Sequence, residues 1–274
     1  MYNLSLEKKV KVIELLTEGN SIRGTSRLTG VAKGTILRLL ERVGKACEEY
    51  QRQALLGLGC RRIECDEIWS FCHMKGKNIP EGQARILGIG SVWTWVALCQ
   101  ETRLISCWLV EGRELHSAIT FLTTLQERLV YRPQISTDGW IGYEEAIAVV
   151  FGKDVDYAML DKKVFEFEGK KALSIQKRAV TGEPDMQMIS TSYVERQNLT
   201  MRTQIKRFTR KTNAFSKKLE NLRYAVALHF MFYNFCRPHP ALNKQRNLGI
   251  TPAMAEDVTD HRWTVEEIIR LDSN

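Results

Sequence analysis

Three acidic side chains stand where phosphoryl-transfer chemistry could use them. Asp66 lies inside an apolar, strand-like run, Ile63-Glu-Cys-Asp-Glu-Ile-Trp69, where a charge should not be buried without a partner. Asp138 ends a short strand in Thr137-Asp-Gly-Trp140, at the strand end where α/β sheets place ligands. Glu195 opens a helix in Ser192-Tyr-Val-Glu195, at the start of a basic stretch. If the first and fourth strands are neighbours, the three acids converge at one sheet edge. With no Lys or Arg among them they cannot ionise together without a cation, and oxygen ligands favour Mg²⁺ or Mn²⁺. A pair of such ions can activate water and stabilise both oxygens of an in-line displacement at phosphorus.

Each acid also has a plainer reading. Glu67 points to the opposite face of the strand from Asp66 and competes with it as a ligand. Asp138-Gly139 suits an ordinary turn. Ser192-x-x-Glu195 fits a capping box, which accounts for that Glu without any chemistry.

The elements that must position these groups are legible in the apolar spacing. Leu6, Val10, Ile13 and Leu16 recur at helical intervals up to Gly19-Asn20. A second helix starts at Ser21 with Leu28 on its inner face, and Gly30 closes it. A third turns Ile36, Leu39, Leu40 and Val43 inward and leaves Lys33, Thr35, Arg38 and Arg42 outside. Helix, tight turn and a helix with a basic outer face make a helix-turn-helix, the arrangement that enters a DNA major groove. A plain three-helix bundle has the same periodicity. From Arg61 the texture changes to strand: Arg61–Phe71, Ala84–Cys99 and Leu104–Glu111 read as an antiparallel meander. Helix 116–130, strand 134–137, helix 144–151, strand 155–160 and helices from 192 and 221 follow. This order predicts an α/β fold with a mixed sheet, preceded by a small all-α domain.

The 274 residues carry a net charge of +8, spread unevenly. Residues 196–246 hold twelve Lys or Arg against a single acid, Glu220. A surplus of that density repels itself unless a polyanion is near, which favours nucleic acid over a membrane surface. Ordinary globular composition excludes disordered and fibrous classes. The longest apolar stretch, Leu87–Cys99, is too short for a membrane span, and a cytoplasmic location is expected. Seven scattered cysteines without a CxxC pair predict neither a disulfide framework nor zinc; Cys60, Cys65 and Cys72 read as small core hydrophobes.

Asp66-Glu-Ile-Trp69, Thr137-Asp-Gly-Trp140 and Val194-Glu-Arg-Gln-Asn-Leu-Thr-Met-Arg202 resemble the three acidic motifs of DDE transposases of the insertion sequence one family, from bacterial transposable elements. The similarity continues through Arg207-Phe-Thr-Arg-Lys, Phe215-Ser-Lys-Lys-Leu-Glu-Asn221 and Tyr233-Asn-Phe-Cys-Arg-Pro-His239 to Thr251-Pro-Ala-Met-Ala255. The resemblance implies an RNase H-like catalytic core, two Mg²⁺ or Mn²⁺ ions held by Asp66, Asp138 and Glu195, and DNA strand transfer. Two features depart from it. Members often carry an N-terminal zinc finger, whose place a helix-turn-helix takes here. The 57 residues from Asp138 to Glu195 are also many for a compact member, which draws attention to 161–190.

The expected organisation is a helix-turn-helix domain at 1–45, a helical linker at 46–60, an RNase H-like DDE domain at 61–245 with 161–190 as a loop or hairpin insertion, and a helical tail at 246–274. The expected partner is double-stranded DNA, element ends and target, engaged by a homodimer or larger assembly. Lys33, Thr35 and Arg38 are candidates to read DNA. Arg196 and Arg202 flank Glu195 and are candidates for the scissile phosphate, with pairing to surface acids as the alternative. Lys206, Arg207, Arg210, Lys211, Lys217 and Lys218 are candidates for backbone contacts. Trp140 is a candidate for base stacking, against the commoner reading of a core Trp. A transposase-derived DNA-binding regulator and a metal-dependent nuclease are the competing functions.

Overall fold

The first helix forms because its apolar residues repeat at helical spacing and Ser5 accepts the Lys8 N–H at 3.4 Å as an N-cap. The computed structural model describes residues 4–80, 88–167, 170–210, 213–243 and 249–273. Its helices are α1 (Leu6–Thr17), α2 (Ile22–Thr29), α3 (Lys33–Ala54), α4 (Leu115–Gln126), α5 (Ile141–Val150), α6 (Ser192–Gln204), α7 (Leu219–Met231), α8 (Pro252–Ala255) and α9 (Val265–Arg270). Its strands are β1 (Arg62–Cys72), β2 (Gly90–Cys99), β3 (Ile105–Glu111), β4 (Gln134–Asp138), β5 (Asp156–Phe167) and β6 (Lys170–Thr181).

Met1–Ala54, Trp69–Trp93 and Asn198–Asn274 form one compact unit, and Leu55–Ile68 with Thr94–Gln197 form a second. In the first unit, Ser21 caps α2 through the Gly24 N–H at 3.0 Å, and Gly30 ends it at a φ of 70°, a conformation glycine adopts without strain. Ile36, Leu39, Leu40 and Val43 are buried on α3, as the spacing predicts. Leu28 differs: it is 66% exposed, because α2 is barely two turns long and turns Thr25 inward instead. Residues 46–54, read from sequence as the start of a linker, are the last turns of α3. They lie along α7, where Gln51 donates to the carbonyls of Cys47 at 2.9 Å and Ala227 at 3.0 Å. Gly44 faces the backbone and Cβ of Tyr224 so closely that any side chain there would collide. Around α9, Trp263 packs on Tyr50 and Phe235.

The sheet has the order β3-β2-β1-β4-β5-β6. Arg62 pairs with Gln100 (N–H to carbonyl, 2.8 Å) while Ser70 reaches the Val92 carbonyl, so β1 and β2 run antiparallel. Strands β1 and β4 are parallel, as are β4 and β5, whereas β6 returns antiparallel to β5. A meander of three strands followed by two parallel ones makes the mixed α/β sheet that the element order predicts. The stretch 161–190 is a hairpin: β5 runs on to Phe167, and β6 extends the sheet by one strand. Behind the sheet, α4 and α5 pack together over a core that includes Trp95, Phe121, Tyr143 and Tyr157. All seven cysteines are buried and none forms a disulfide. Among the described residues no helix is long and apolar enough to cross a membrane.

Candidate active site

Parallel pairing aligns Arg62 with Gln134, Ile63 with Ile135 and Glu64 with Ser136. The same offset carried two residues further puts Asp66 beside Asp138. Side chains alternate along a strand, so Glu64, Asp66, Ser136 and Asp138 share one face and Glu67 belongs to the other. On β5, Leu160 aligns with Asp138, which places Lys162 on the acids' face one step beyond. Burial, and then the charges of Glu67, Asp138 and Glu195, push the Asp66 carboxyl up to about 7. Asp138 and Glu195 thus lie near enough to Asp66 to act on its carboxyl, while the oxygens of the three acids do not all lie within 4.8 Å of one another.

Helix α6 brings the third acid, and β1 holds its start. The fully buried Glu64 accepts the backbone N–H groups of Tyr193 at 2.8 Å and Val194 at 2.9 Å. Its other oxygen accepts the Gln100 amide at 3.0 Å. A carboxylate at a helix N-terminus satisfies orphan donors and complements the helix dipole. Glu195 itself accepts from Lys162 Nζ and from the Thr191 hydroxyl, the latter at 2.6 Å. It makes no contact to the backbone of the helix start, so the capping box does not form. The start is instead capped from outside by Glu64.

The expectation that no cation stands among the acids is corrected here. Lys162 is ion-paired with Glu195, and Arg113, in the turn after β3, lies 3.9 Å from Asp138. Arg113 also pairs with Glu67, and the Tyr143 hydroxyl donates to the same carboxylate at 2.9 Å. Glu67 is thereby committed to its own face. Asp138 keeps its turn role as well, since it accepts the Trp140 N–H at 3.1 Å. Gly139 is required there, because a Cβ would stand 2.5 Å from an oxygen of Asp161, a further acid beside the site. Glu64, Arg113, Lys162 and Thr191 escape a sequence reading. Each lies tens of residues from the acid it serves, save Thr191, which reads as a loop residue.

Two cations do not neutralise this group of carboxylates. An all-oxygen donor set short of positive charge suits a hard divalent cation, and Asp66, Asp138 and Glu195 are the residues that could hold one.

Residues 170–235 match the sequence model of the IS1 transposase family. Over this segment the chain is similar to IS1 transposases. The segment takes in β6, α6 with Glu195, and most of α7. No curated protein matches the chain. Among solved structures, the Mos1 strand transfer complex and the Mos1 transposase paired-end complex with left transposon end align at 16% identity. They cover 55% and 54% of this chain, with TM-scores of 0.23 in both cases. The chain spans 57% and 58% of those two proteins' chains.

In the second unit, Arg196 is exposed on α6 beside Glu195. In the other unit, Arg202 is half-buried, and burial together with the nearby Arg210 lowers its pKa. Lys206 and Arg207 lie in the 3₁₀ turn Lys206–Phe208, while Arg210, Lys217 and Lys218 are exposed. Lys211 falls outside the described residues. On α3, Lys33 and Arg38 are exposed and Arg38 donates to Thr35 at 3.3 Å. Trp140 is half-buried, with Trp95 and Tyr143 each at 5.5 Å and the Arg113 guanidinium 4.9 Å from its ring. Its ring is thus engaged by protein on several sides.

Proposed function

We propose that the chain is a DNA transposase that cleaves insertion-element ends and joins them to target DNA. The observation that carries this reading is the approach of Glu195, on α6, to Asp66 and Asp138 on one sheet face, with Glu195 in a segment that matches the IS1 transposase family model. These three acids would hold two Mg²⁺ or Mn²⁺ ions, which supply an activated water and charge stabilisation at phosphorus.

The chain's own residues arrange the rest. Glu64 fixes the start of α6 and so the place of Glu195. Lys162 and Thr191 hold the Glu195 carboxylate through side-chain contacts. Arg113 keeps Glu67 on the far face and sets a positive charge next to Asp138, where a phosphate oxygen gains from it. In the first reaction a water oxygen forms a bond to phosphorus, and the bond from phosphorus to the 3′ oxygen breaks, leaving a 3′-OH. In the second, that hydroxyl attacks a target phosphodiester and the target's own 3′ oxygen leaves, one ester exchanged for another.

Lys33, Thr35 and Arg38 are the proposed readers of the element ends, within a helix-turn-helix at 1–45. Arg196 and Arg202 are proposed for the cleaved strand, and Lys206, Arg210, Lys211, Lys217 and Lys218 for duplex backbone; Arg207 instead donates to Ser216 and has a buried terminal nitrogen. Assembly as a homodimer or larger on DNA follows from the need to bring two ends together.

The test is to incubate the purified chain with Mg²⁺, DNA carrying candidate element ends, and a target plasmid, and to resolve cleaved from joined strands. Joined product is expected. Cleavage without joining makes the protein a nuclease, and binding without cleavage a regulator.

A further inference from the structure

The first unit contains a cavity of about 640 Å³ that the active-site chemistry does not use. Arg23 and Lys33 reach it from α2 and α3, and Lys206, Arg207 and Lys217 from the segment after α6. No acidic side chain lines it. Five cations around one space repel each other, an arrangement that an anion relieves. Lys33 adds to the imbalance, since a cation in a helix's first turn opposes the positive end of the helix dipole.

Arg207 points independently to a ligand. Its guanidinium donates to Ser216 Oγ at 2.7 Å, but its other terminal nitrogen is buried and has no hydrogen-bond partner. Among the described residues no carboxylate pairs with it. Burial lowers its pKa to about 10, so it remains charged at neutral pH. A buried charge without partner costs stability unless something supplies an anion.

Leu16, Leu37, Leu40 and Leu228 give the wall an apolar part, beside polar groups such as Asn20, Gln204 and Asn221. The volume lies in the range of small-ligand sites, about 300–1,000 Å³, and cannot admit a duplex. We propose that this cavity binds a single nucleotide, its phosphate on Arg207 and the neighbouring lysines and its base against the leucines. The nucleotide is either an unpaired residue at a DNA end or a free nucleoside monophosphate. This inference rests on the reading of the chain as a DNA-processing protein.

Calorimetric titration of the full chain with dAMP, deoxyadenosine and inorganic phosphate tests it. The dAMP should bind about tenfold more tightly than either fragment, and Arg207→Met should remove that advantage. Equal affinity for dAMP and phosphate, or full dAMP binding by a folded Arg207→Met protein, overturns the proposal. If Arg207→Met does not fold, Lys33→Ala/Lys217→Ala decides, because unchanged dAMP affinity in that variant also overturns it.

A DNA hairpin carrying 2-aminopurine as one unpaired 3′ nucleotide separates the two sources. A fluorescence change that dAMP competes away assigns the cavity to a DNA end, and no change while dAMP still binds assigns it to free nucleotide. Asp66→Ala should bind dAMP normally. Failure of joining with intact dAMP binding therefore counts against the transposase reading and not against this site.

Discussion

Glu64 accepts the backbone N–H of Val194 at 2.9 Å, which ties the strand of the first acid to the helix of the third. Glu64 stands two positions before Asp66 and Val194 one before Glu195, so a single carboxylate sets the spacing of the proposed metal ligands. Glu64→Ala would leave two buried N–H groups unsatisfied, at about 1–3 kcal/mol each. The expected outcome is a destabilised protein whose Mg²⁺-dependent cleavage falls by more than its DNA binding. Denaturant melts and cleavage rates on the same preparation check this, and unchanged cleavage in a folded variant rules out the positioning role.

Alanine at Asp66, Asp138 or Glu195 should each abolish cleavage while leaving duplex affinity within about twofold, less than 0.5 kcal/mol. Glu195→Ala is the sharpest case because it makes no capping-box contact. Full cleavage by that variant would falsify its place in the site.

Asp66 gives a pH signature in metal-free protein. Its folded pKa, about 7, stands above the ordinary carboxylate value of about 4. Its contribution to stability is therefore complete below about pH 4 and is lost as pH rises through about 7. Asp66→Asn cannot ionise, so its melting temperature should fall less than the wild type's between about pH 5 and pH 8. Parallel curves for the two proteins would mean the carboxyl titrates normally.

Gly44 is the contact point of α3 on α7. Gly44→Ala places a methyl group against the backbone of Tyr224 and should cost about 1–3 kcal/mol, as overpacking does. The same packing predicts that residues 1–55 alone are not a stable fragment, since Val43, Cys47 and Gln51 would lose their cover. Circular dichroism of both proteins tests the two statements, and a cooperative melt of the isolated fragment contradicts the second.

Arg210, Lys217 and Lys218 are exposed, and each phosphate they neutralise steepens the fall of log affinity with log salt by about 0.9. The triple alanine variant should flatten that slope by about 2–3 units and weaken element-end and random DNA alike. Three acids near the C-terminal end of the sequence have other partners: Asp272 pairs with Arg42, Glu266 with Arg270 and Glu267 with His261. An unchanged slope would show that the three side chains touch no phosphate.

The meander, the α6 boundary and the three acids were legible because apolar alternation and strand-end acids are local signals. Lys162 was not, since only the parallel register of β4 and β5 carries it to the acids' face. Arg113 lay in a turn whose target is decided by tertiary packing. Leu28 reads as a core residue by spacing, yet a two-turn helix has too little length to bury it. The α3–α7 contact was hidden because Gly44 looks like a helix-weakening residue until Tyr224 is placed against it.

The first unit is assembled from the beginning and the end of the chain, with α3 against α7 and α1 against α9. A ribosome adds about 5–20 residues per second, so α1–α3 emerge many seconds before the helices that cover them. The second unit, nearly all of it between residues 55 and 197, can close earlier. Its three acids thus take their places before the N-terminal helices have a finished core. A chain cut short before about residue 220 would hold the acids without the unit that steadies α3.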